Sequence, residues 1–158
     1  MSKTYFTREE FLHSDTAVAK GIQNVANATE LQHIDQTIAA ITPIRIAWGE
    51  YVQKKWPGEK QGIIISSGFR NTQVNSLVGG SATSAHKLGY AADMQPSNGR
   101  TKEFQQFVRN WVINAEKSGY RYDQLIIEKN SKGAEWVHFG LYNNSGQQRM
   151  MKFDLNPQ

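Results

Sequence analysis

The sequence predicts an α+β protein in which a small, largely antiparallel sheet is flanked by helices. Two amphipathic helical patterns and four short apolar runs of strand character support this expectation. Their order also supports it, because helices come first, followed by a strand, a loop, a strand, a helix and a final strand pair. The 158 residues fit one domain, with a helical part (1–60), a core (61–142) and a C-terminal tail (143–158).

The N-terminal part carries the helical patterns. "FTREEFLHSD" indicates a short helix with Thr7 as N-cap and acidic residues in its first turn. A longer helix follows, and Pro43 is expected to kink it before "WPG" ends it. Its apolar residues recur at steps that share one face: Leu31, Ile34, Ile38, Ile41, Trp48 and Val52.

Strand patterns dominate the middle and the later part of the chain. "GIIISSG" indicates a buried strand, and a second strand is expected around "YAADMQ". "TKEFQQFVRNWVINAEKSG" is an amphipathic helix with Gly119 just past its end. "YDQLIIEK" and "EWVHFGLY", joined by the polar "NSKGA", predict a hairpin.

Composition excludes several classes of function. The chain has no cysteine, so thiolate metal sites, disulfides and a cysteine nucleophile are ruled out. No apolar run is long enough to span a membrane, and no secretory signal is present at the N-terminus. The net charge of +4 suits either an acidic partner or simply a soluble surface. No nucleic-acid fingerprint accompanies it, and we expect neither nucleic-acid binding nor stable membrane association.

Two of the four histidines lie in contexts suited to chemistry. His13 and His33 fit ordinary surface or boundary positions, whereas His86 in "SAHKLGYAAD" precedes Asp93 by seven residues and His138 lies in "EWVHFG". Two imidazoles and one carboxylate form a ligand set that suits Zn²⁺ with an open fourth position, which predicts a zinc site in a cleft on the sheet. By itself this spacing also fits a capping aspartate beside a surface histidine, and no H-E-x-x-H motif supports the zinc interpretation.

Strand alternation separates the two sides of the predicted last strand. Trp136, His138 and Gly140 fall on one side, and Val137, Phe139 and Leu141 form a core-like face on the other. Glu135 precedes His138 by three residues at the start of the strand, where a bend could turn it towards the cleft. Glu135 is therefore our candidate for the base that takes a proton from water and passes it to a leaving amine.

Two complete motifs resemble the zinc D-Ala-D-Ala carboxypeptidase family, which includes D-Ala-D-Ala dipeptidases and phage L-alanyl-D-glutamate endopeptidases. "SAHKLGYAAD" matches its Ser-x-His-x-x-Gly-x-Ala-x-Asp pattern, and "EWVHFGL" matches its Glu-x-x-His motif with an adjacent tryptophan. "SSGFRNTQVNSLVGGSATSAH" and "YDQLIIE" resemble the segments that precede the two motifs. The likeness covers roughly residues 62–142.

The resemblance implies roles for individual residues. His86, Asp93 and His138 would be the zinc ligands and Glu135 the catalytic base. Arg70 would bind substrate or steady an oxyanion, Ser84 would bond substrate, and Trp136 would wall the cleft. Arg70 could instead be an ion-pair partner, Ser84 a local backbone cap, and Trp136 a cover for the sheet. Glu128 could orient a ligand.

The resemblance also implies a reaction, the hydrolysis of an amide in the peptidoglycan stem peptide by a zinc metallopeptidase. A lone catalytic domain without a signal peptide favours a phage-type endolysin, an L-alanyl-D-glutamate endopeptidase made in the cytoplasm and acting on the cell wall. A D-Ala-D-Ala carboxypeptidase or dipeptidase, or a non-catalytic zinc-containing phage structural module, stays open. We expect a monomer.

Overall fold

The computed structural model describes residues 4–156. Its helices are α1 (Arg8–Leu12), α2 (Asp15–Lys20), α3 (Ala28–Lys55), α4 (Thr72–Leu77), a 3-10 helix (Ala85–Leu88) and α5 (Thr101–Glu116). Its strands are β1 (Ile63–Ser67), β2 (Ala91–Pro96), β3 (Gln124–Lys129), β4 (Glu135–Gly140) and β5 (Met151–Leu155). No helix in residues 4–156 is both long and apolar enough to cross a membrane.

The five strands form one sheet in the order β1-β2-β4-β3-β5. The pairs β1–β2, β2–β4 and β3–β4 are antiparallel, whereas β5 runs parallel to β3 along the edge. The α+β class and the largely antiparallel sheet are therefore confirmed. The β3–β4 hairpin and the strand around "YAADMQ" also lie where the sequence predicted them.

Local capping explains where the N-terminal helices begin. The Thr7 hydroxyl accepts a hydrogen bond from the Glu10 N–H, and the Glu10 carboxylate accepts one from the Thr7 N–H. Asn27 and Glu30 form the same reciprocal pair at the start of α3. Such capping boxes satisfy two otherwise unpaired donors. The helical hydrogen bonding of α3 continues past Pro43, so the proline does not end the helix.

The core lies on one face of the sheet, beneath α3 and α5. Val137 and Phe139 of β4, with Ala92 and Met94 of β2, are fully buried on this face. The predicted helical stripes meet them there through fully buried side chains: Ile34, Ile41, Trp48 and Val52 of α3, and Phe104, Val108 and Val112 of α5. Because alternate strand residues point to opposite faces, the other face is left free for Asp93 and His138.

Four elements were not predicted: α2, α4, the 3-10 helix and β5. Each has four to six residues, too few to show a periodic pattern, and three of them start at side-chain caps supplied by Ser14, Asn71 and Ser84. The strand β5 lies in the segment 143–158, for which only a tail was expected. Residues 157 and 158 of that tail, and residues 1–3 of the predicted helical part, lie outside the described residues.

Candidate metal centre

His86 is held in one orientation by the backbone beneath it. Its Nδ1 lies 2.6 Å from the Gly68 carbonyl oxygen. A carbonyl can only accept, so Nδ1 carries the proton, and in the neutral ring the lone pair is on Nε2. The side chain is 2% exposed, and burial lowers its pKa, which favours the neutral ring. Nε2 thus has an unshared pair for a cation.

Gly68 can hold His86 because it has no side chain. A Cβ placed on Gly68 would lie 2.6 Å from the Cα of Phe11 in α1, closer than real atoms approach. The Phe69 N–H donates to the Phe11 carbonyl at 2.7 Å, and the Arg70 N–H donates to the His86 carbonyl at 3.0 Å. The segment after β1 is therefore fastened between α1 and the 3-10 helix.

Asp93 and His138 lie opposite each other in the sheet. They are register partners in β2 and β4, and Asp93 Oδ1 lies 2.9 Å from His138 Nδ1. Asp93 Oδ1 also lies 3.3 Å from His86 Nε2. The three ligand atoms all fall within 4.8 Å of one another. The structure thus brings together the three side chains that the sequence singled out.

The electrostatics of this group suit a bound cation. Burial would raise the pKa of Asp93, but the two histidines outweigh it and hold the pKa well below its usual range. Burial would lower the pKa of His138, yet Asp93 and Glu128 outweigh it and leave the pKa raised. His86 Nε2 makes no hydrogen bond within the described chain, so an imidazole lone pair and a carboxylate face each other at short range. A divalent metal satisfies both, and His₂Asp is a donor set that Zn²⁺ accepts.

The group opens into a cleft of about 650 Å³ on the free face of the sheet. Its lining includes loop residues 78–81, 83 and 84, the start of the 3-10 helix, and the β3 residues Gln124, Ile126 and Glu128. Leu155 of β5 and Arg149 also line it. The centre is therefore reachable by a ligand of peptide size.

Arg70 and Ser84 line this cleft, as expected from the sequence. Arg70 Nη2 lies 3.5 Å from Ser84 Oγ, and Arg70 Nε is buried without a partner in the described chain. Burial lowers the pKa of Arg70, although a guanidinium stays charged in proteins. Ser84 Oγ accepts the His86 N–H at 3.2 Å, which is the local capping that was open as its alternative, and its own O–H remains available as a donor.

Glu135 and Glu128 lie on different faces of the sheet. Glu135 belongs to the alternate set that contains Val137 and Phe139, and it is missing from the described residues that line the cleft. Glu128 pairs with Trp136 across the hairpin and lines the cleft beside His138. Burial raises the pKa of Glu128, with a further contribution from Asp93, while His138, Trp136 and Arg70 act in the opposite direction.

Trp136 forms part of the cleft wall. Its indole N–H is buried and makes no hydrogen bond of ordinary geometry within residues 4–156. An indole N–H can only donate, and this one acts on the Glu128 carboxylate and lowers the pKa of that group.

Two residues of α3 support the segment that carries His86, a role that the sequence did not predict for them. His33, which was expected at an ordinary boundary position, stacks on Tyr90 with ring centroids 4.0 Å apart, and its Nδ1 lies 2.7 Å from the Leu88 carbonyl. Thr37 Oγ1 donates to the Gly89 carbonyl at 2.9 Å. Both tie α3 to the segment that carries His86. The off-centre position of His33 on the apolar stripe was the available signal.

The model of a family described as Peptidase M15 matches residues 4–127. The chain belongs to the M15 peptidases, a family of zinc metallopeptidases, which confirms the family resemblance. His86 and Asp93 lie inside the matched segment, whereas Glu128, Glu135 and His138 lie beyond it. A search of curated proteins found no match.

Proposed function

We propose that this protein is a zinc-dependent peptidoglycan hydrolase that cleaves an amide bond of the stem peptide. The observation that carries the proposal is the convergence of His86 Nε2, Asp93 Oδ1 and His138 Nδ1 in a cleft that also holds a second carboxylate and a guanidinium. Membership of the M15 peptidases supports peptide hydrolysis. The net charge of +4 suits an anionic cell wall.

His86, Asp93 and His138 would hold the metal. A zinc ion in this position supplies a Lewis acid that polarises a carbonyl and lowers the pKa of water. The Gly68 carbonyl keeps the His86 ring in the tautomer that can bind it.

Glu128 is our preferred general base. Its carboxylate shares the cleft with His138, and burial raises its pKa, which makes the carboxylate a better proton acceptor. It would take a proton from water as the oxygen attacks the carbonyl carbon. The same proton then passes to the amide nitrogen as the C–N bond breaks. Glu135 stays the competing candidate, and its role would require the bend in β4 that the sequence analysis assumed.

Arg70, Ser84 and Trp136 would handle the substrate. Charge that develops on the carbonyl oxygen is stabilised by preorganised donors, and Arg70 is the cationic donor beside the ligand set. Ser84 has an O–H that donates to no group among the described residues and could bond a peptide carbonyl, and Trp136 would wall the cleft. The bond we propose is the one between L-Ala and D-Glu, cut by a monomeric endolysin that acts on the cell wall. Removal of a terminal D-Ala is the alternative.

Digestion of purified peptidoglycan by zinc-loaded wild type, Glu128→Gln and Glu135→Gln tests this function. Mass spectrometry of the released fragments identifies the new termini. We expect wild type and Glu135→Gln to release fragments with a free D-Glu amine. Glu128→Gln should be slower by about a hundredfold or more, because it cannot accept the proton.

Other results of this digestion would change the assigned base, the cleaved bond or the proposed function itself. If Glu135→Gln is the inactive variant and Glu128→Gln is active, then Glu135 is the base. Release of D-Ala alone would identify a carboxypeptidase. If all three proteins bind one zinc and release nothing, the hydrolase proposal fails and a non-catalytic zinc module takes its place.

A further inference from the structure

Arg149 lines the cleft beside β5, and β5 lies at the opposite edge of the sheet from β1, which Arg70 follows. Arg149 lies just before β5, and its side chain is 41% exposed. Its partner Asp123 precedes β3 and is 2% exposed. Both residues line the cleft, so this ion pair forms part of the wall that a substrate would meet.

Asp123 occupies only one edge of the guanidinium. Arg149 Nε lies 2.8 Å from Asp123 Oδ1, and Arg149 Nη2 lies 2.8 Å from Asp123 Oδ2. A guanidinium has five N–H donors, and its end-on edge, formed by Nη1 and the outer hydrogen of Nη2, can bind a second carboxylate in the same two-point manner. Nη1 has no hydrogen bond within residues 4–156. One complete bidentate edge is therefore unused.

Backbone hydrogen bonds to Asp123 also help to hold Arg149 in place. The Arg149 N–H donates to Asp123 Oδ1 at 3.1 Å, and the Met151 N–H donates to the Asp123 carbonyl at 2.9 Å. Met150, between them, adopts a φ of 55° and is the one non-glycine residue with positive φ in the described chain. Such a conformation persists only where surrounding contacts fix it, and it is frequent at ligand clamps. Arg149 is therefore preorganised.

We propose that Arg149 is a specificity-determining residue that binds a free carboxylate of the stem peptide through this unused edge. This inference rests on the proposed function. It adds that the substrate of the same site is a stem peptide with a free carboxylate. Stem peptides carry such a group on D-Glu, where it is the α-carboxylate next to the scissile amide, and on diaminopimelate. Asp123 orients the guanidinium, and Arg70 stays free for the reacting carbonyl.

Three stem peptides test the inference, and they differ only in which free carboxylate, if any, is converted to an amide. All contain L-Ala, D-Glu and diaminopimelate: one keeps all carboxylates, one has the D-Glu α-carboxylate amidated, and one has diaminopimelate amidated. The kcat/KM is measured with zinc-loaded wild type, Arg149→Lys and Arg109→Lys, and equilibrium binding is measured by calorimetry on the Glu128→Gln background. Arg109, 34% exposed, pairs with Asp154 of β5 outside the described lining of the cleft, so it is the matched control.

We expect Arg149→Lys to weaken binding of the acidic peptide and to lower its kcat/KM by about ten- to a hundredfold, because lysine keeps the charge and loses the two-point edge. Arg109→Lys should behave as wild type. One of the two amidated peptides should bind the wild type weakly, with an affinity similar to that of the acidic peptide for Arg149→Lys. The group that is amidated in that peptide is then the carboxylate that Arg149 binds.

The inference would be overturned if Arg149→Lys weakened the binding of all three peptides equally, or if it weakened the binding of none. The acidic peptide can also be compared with the two amidated peptides on the wild type alone. If the wild type binds all three with equal affinity, the inference is overturned even if Arg149→Lys does not fold. Binding that depends on the carboxylate and on Arg149, without turnover, would uphold it while the hydrolase proposal fails. Neither binding nor turnover would overturn both.

Discussion

At the scale of single residues, one backbone carbonyl determines what His86 can do. A histidine bound to a carbonyl through Nδ1 presents Nε2 as an acceptor, and the Gly68 carbonyl lies 2.6 Å from His86 Nδ1. The position of that carbonyl depends on the close approach of Gly68 to Phe11 in α1. The N-terminal helix therefore contributes to the metal centre without touching it.

Gly68→Ala should destabilise the fold and weaken zinc binding together. The added Cβ meets backbone atoms of Phe11, which have little room to move, and overpacking of this kind costs about 1–3 kcal/mol. Urea denaturation gives the free energy of unfolding, and competition with a chelating dye gives the zinc affinity. Gly140→Ala is the control for the unfolding free energy only, since its Cβ would lie 3.7 Å from the nearest atoms, one of which is Nε2 of the ligand His138. Equal losses of unfolding free energy for the two substitutions would contradict this role of Gly68.

The two glutamates show what residue-level sequence reasoning could and could not give. His86, Asp93 and His138 were identified from residue type, spacing and motif, and the structure brings them together. In a regular strand, a residue three positions before His138 falls on the opposite face, so alternation argued against Glu135 unless the strand bends. Glu128 can be placed only when the hairpin register is known, because the register sets it opposite Trp136.

At the scale of elements, β5 is the one strand that the sequence did not predict. Strands with clear alternation or long apolar runs were predicted, whereas "MKFDL" is short and mostly exposed, and nothing local indicates that it pairs parallel to β3. Its position comes from long-range contacts. Lys152 Nζ lies 2.6 Å from Glu116 Oε1 of α5 and 2.9 Å from the Tyr122 hydroxyl, and Tyr122 also donates to Glu116.

Lys152→Met should destabilise the protein more at neutral pH than in acid. Burial would raise the pKa of Glu116, but Lys152 and Tyr122 outweigh it and leave the pKa below its ordinary value of 4.5. A carboxyl with a lowered folded pKa contributes stability above its unfolded pKa and loses that contribution as the pH falls through the folded value. The contribution from Glu116 is therefore complete above about pH 5.

Urea denaturation of wild type and Lys152→Met at a series of pH values measures this contribution. The difference in unfolding free energy should be about 1–3 kcal/mol at pH 7 and should shrink below about pH 4. Lys132→Met, in the exposed β3–β4 turn, should show no such difference at any pH. A difference for Lys152→Met that stays constant between pH 7 and pH 3 would contradict the proposed role of Glu116.

At the scale of the whole molecule, the sheet joins ligands that are distant in the chain. His86 and Asp93 come from one segment and His138 from a strand 45 residues beyond Asp93. The α+β class and the sheet's core face were predictable because periodicity encodes which side of an element is buried. The contacts of α1, of the segment after β1 and of β5 are not encoded that way, since each depends on tertiary packing.

The proposed function depends most on one metal ion between those three side chains, and anomalous diffraction at the zinc edge from zinc-grown crystals tests its presence directly. We expect a single strong peak about 2.0–2.2 Å from His86 Nε2, His138 Nδ1 and an Asp93 carboxylate oxygen. Glu128 should lie beside the peak without binding it. A peak elsewhere, or no peak at this position in crystals that contain zinc, would contradict the metal centre and the hydrolysis built on it.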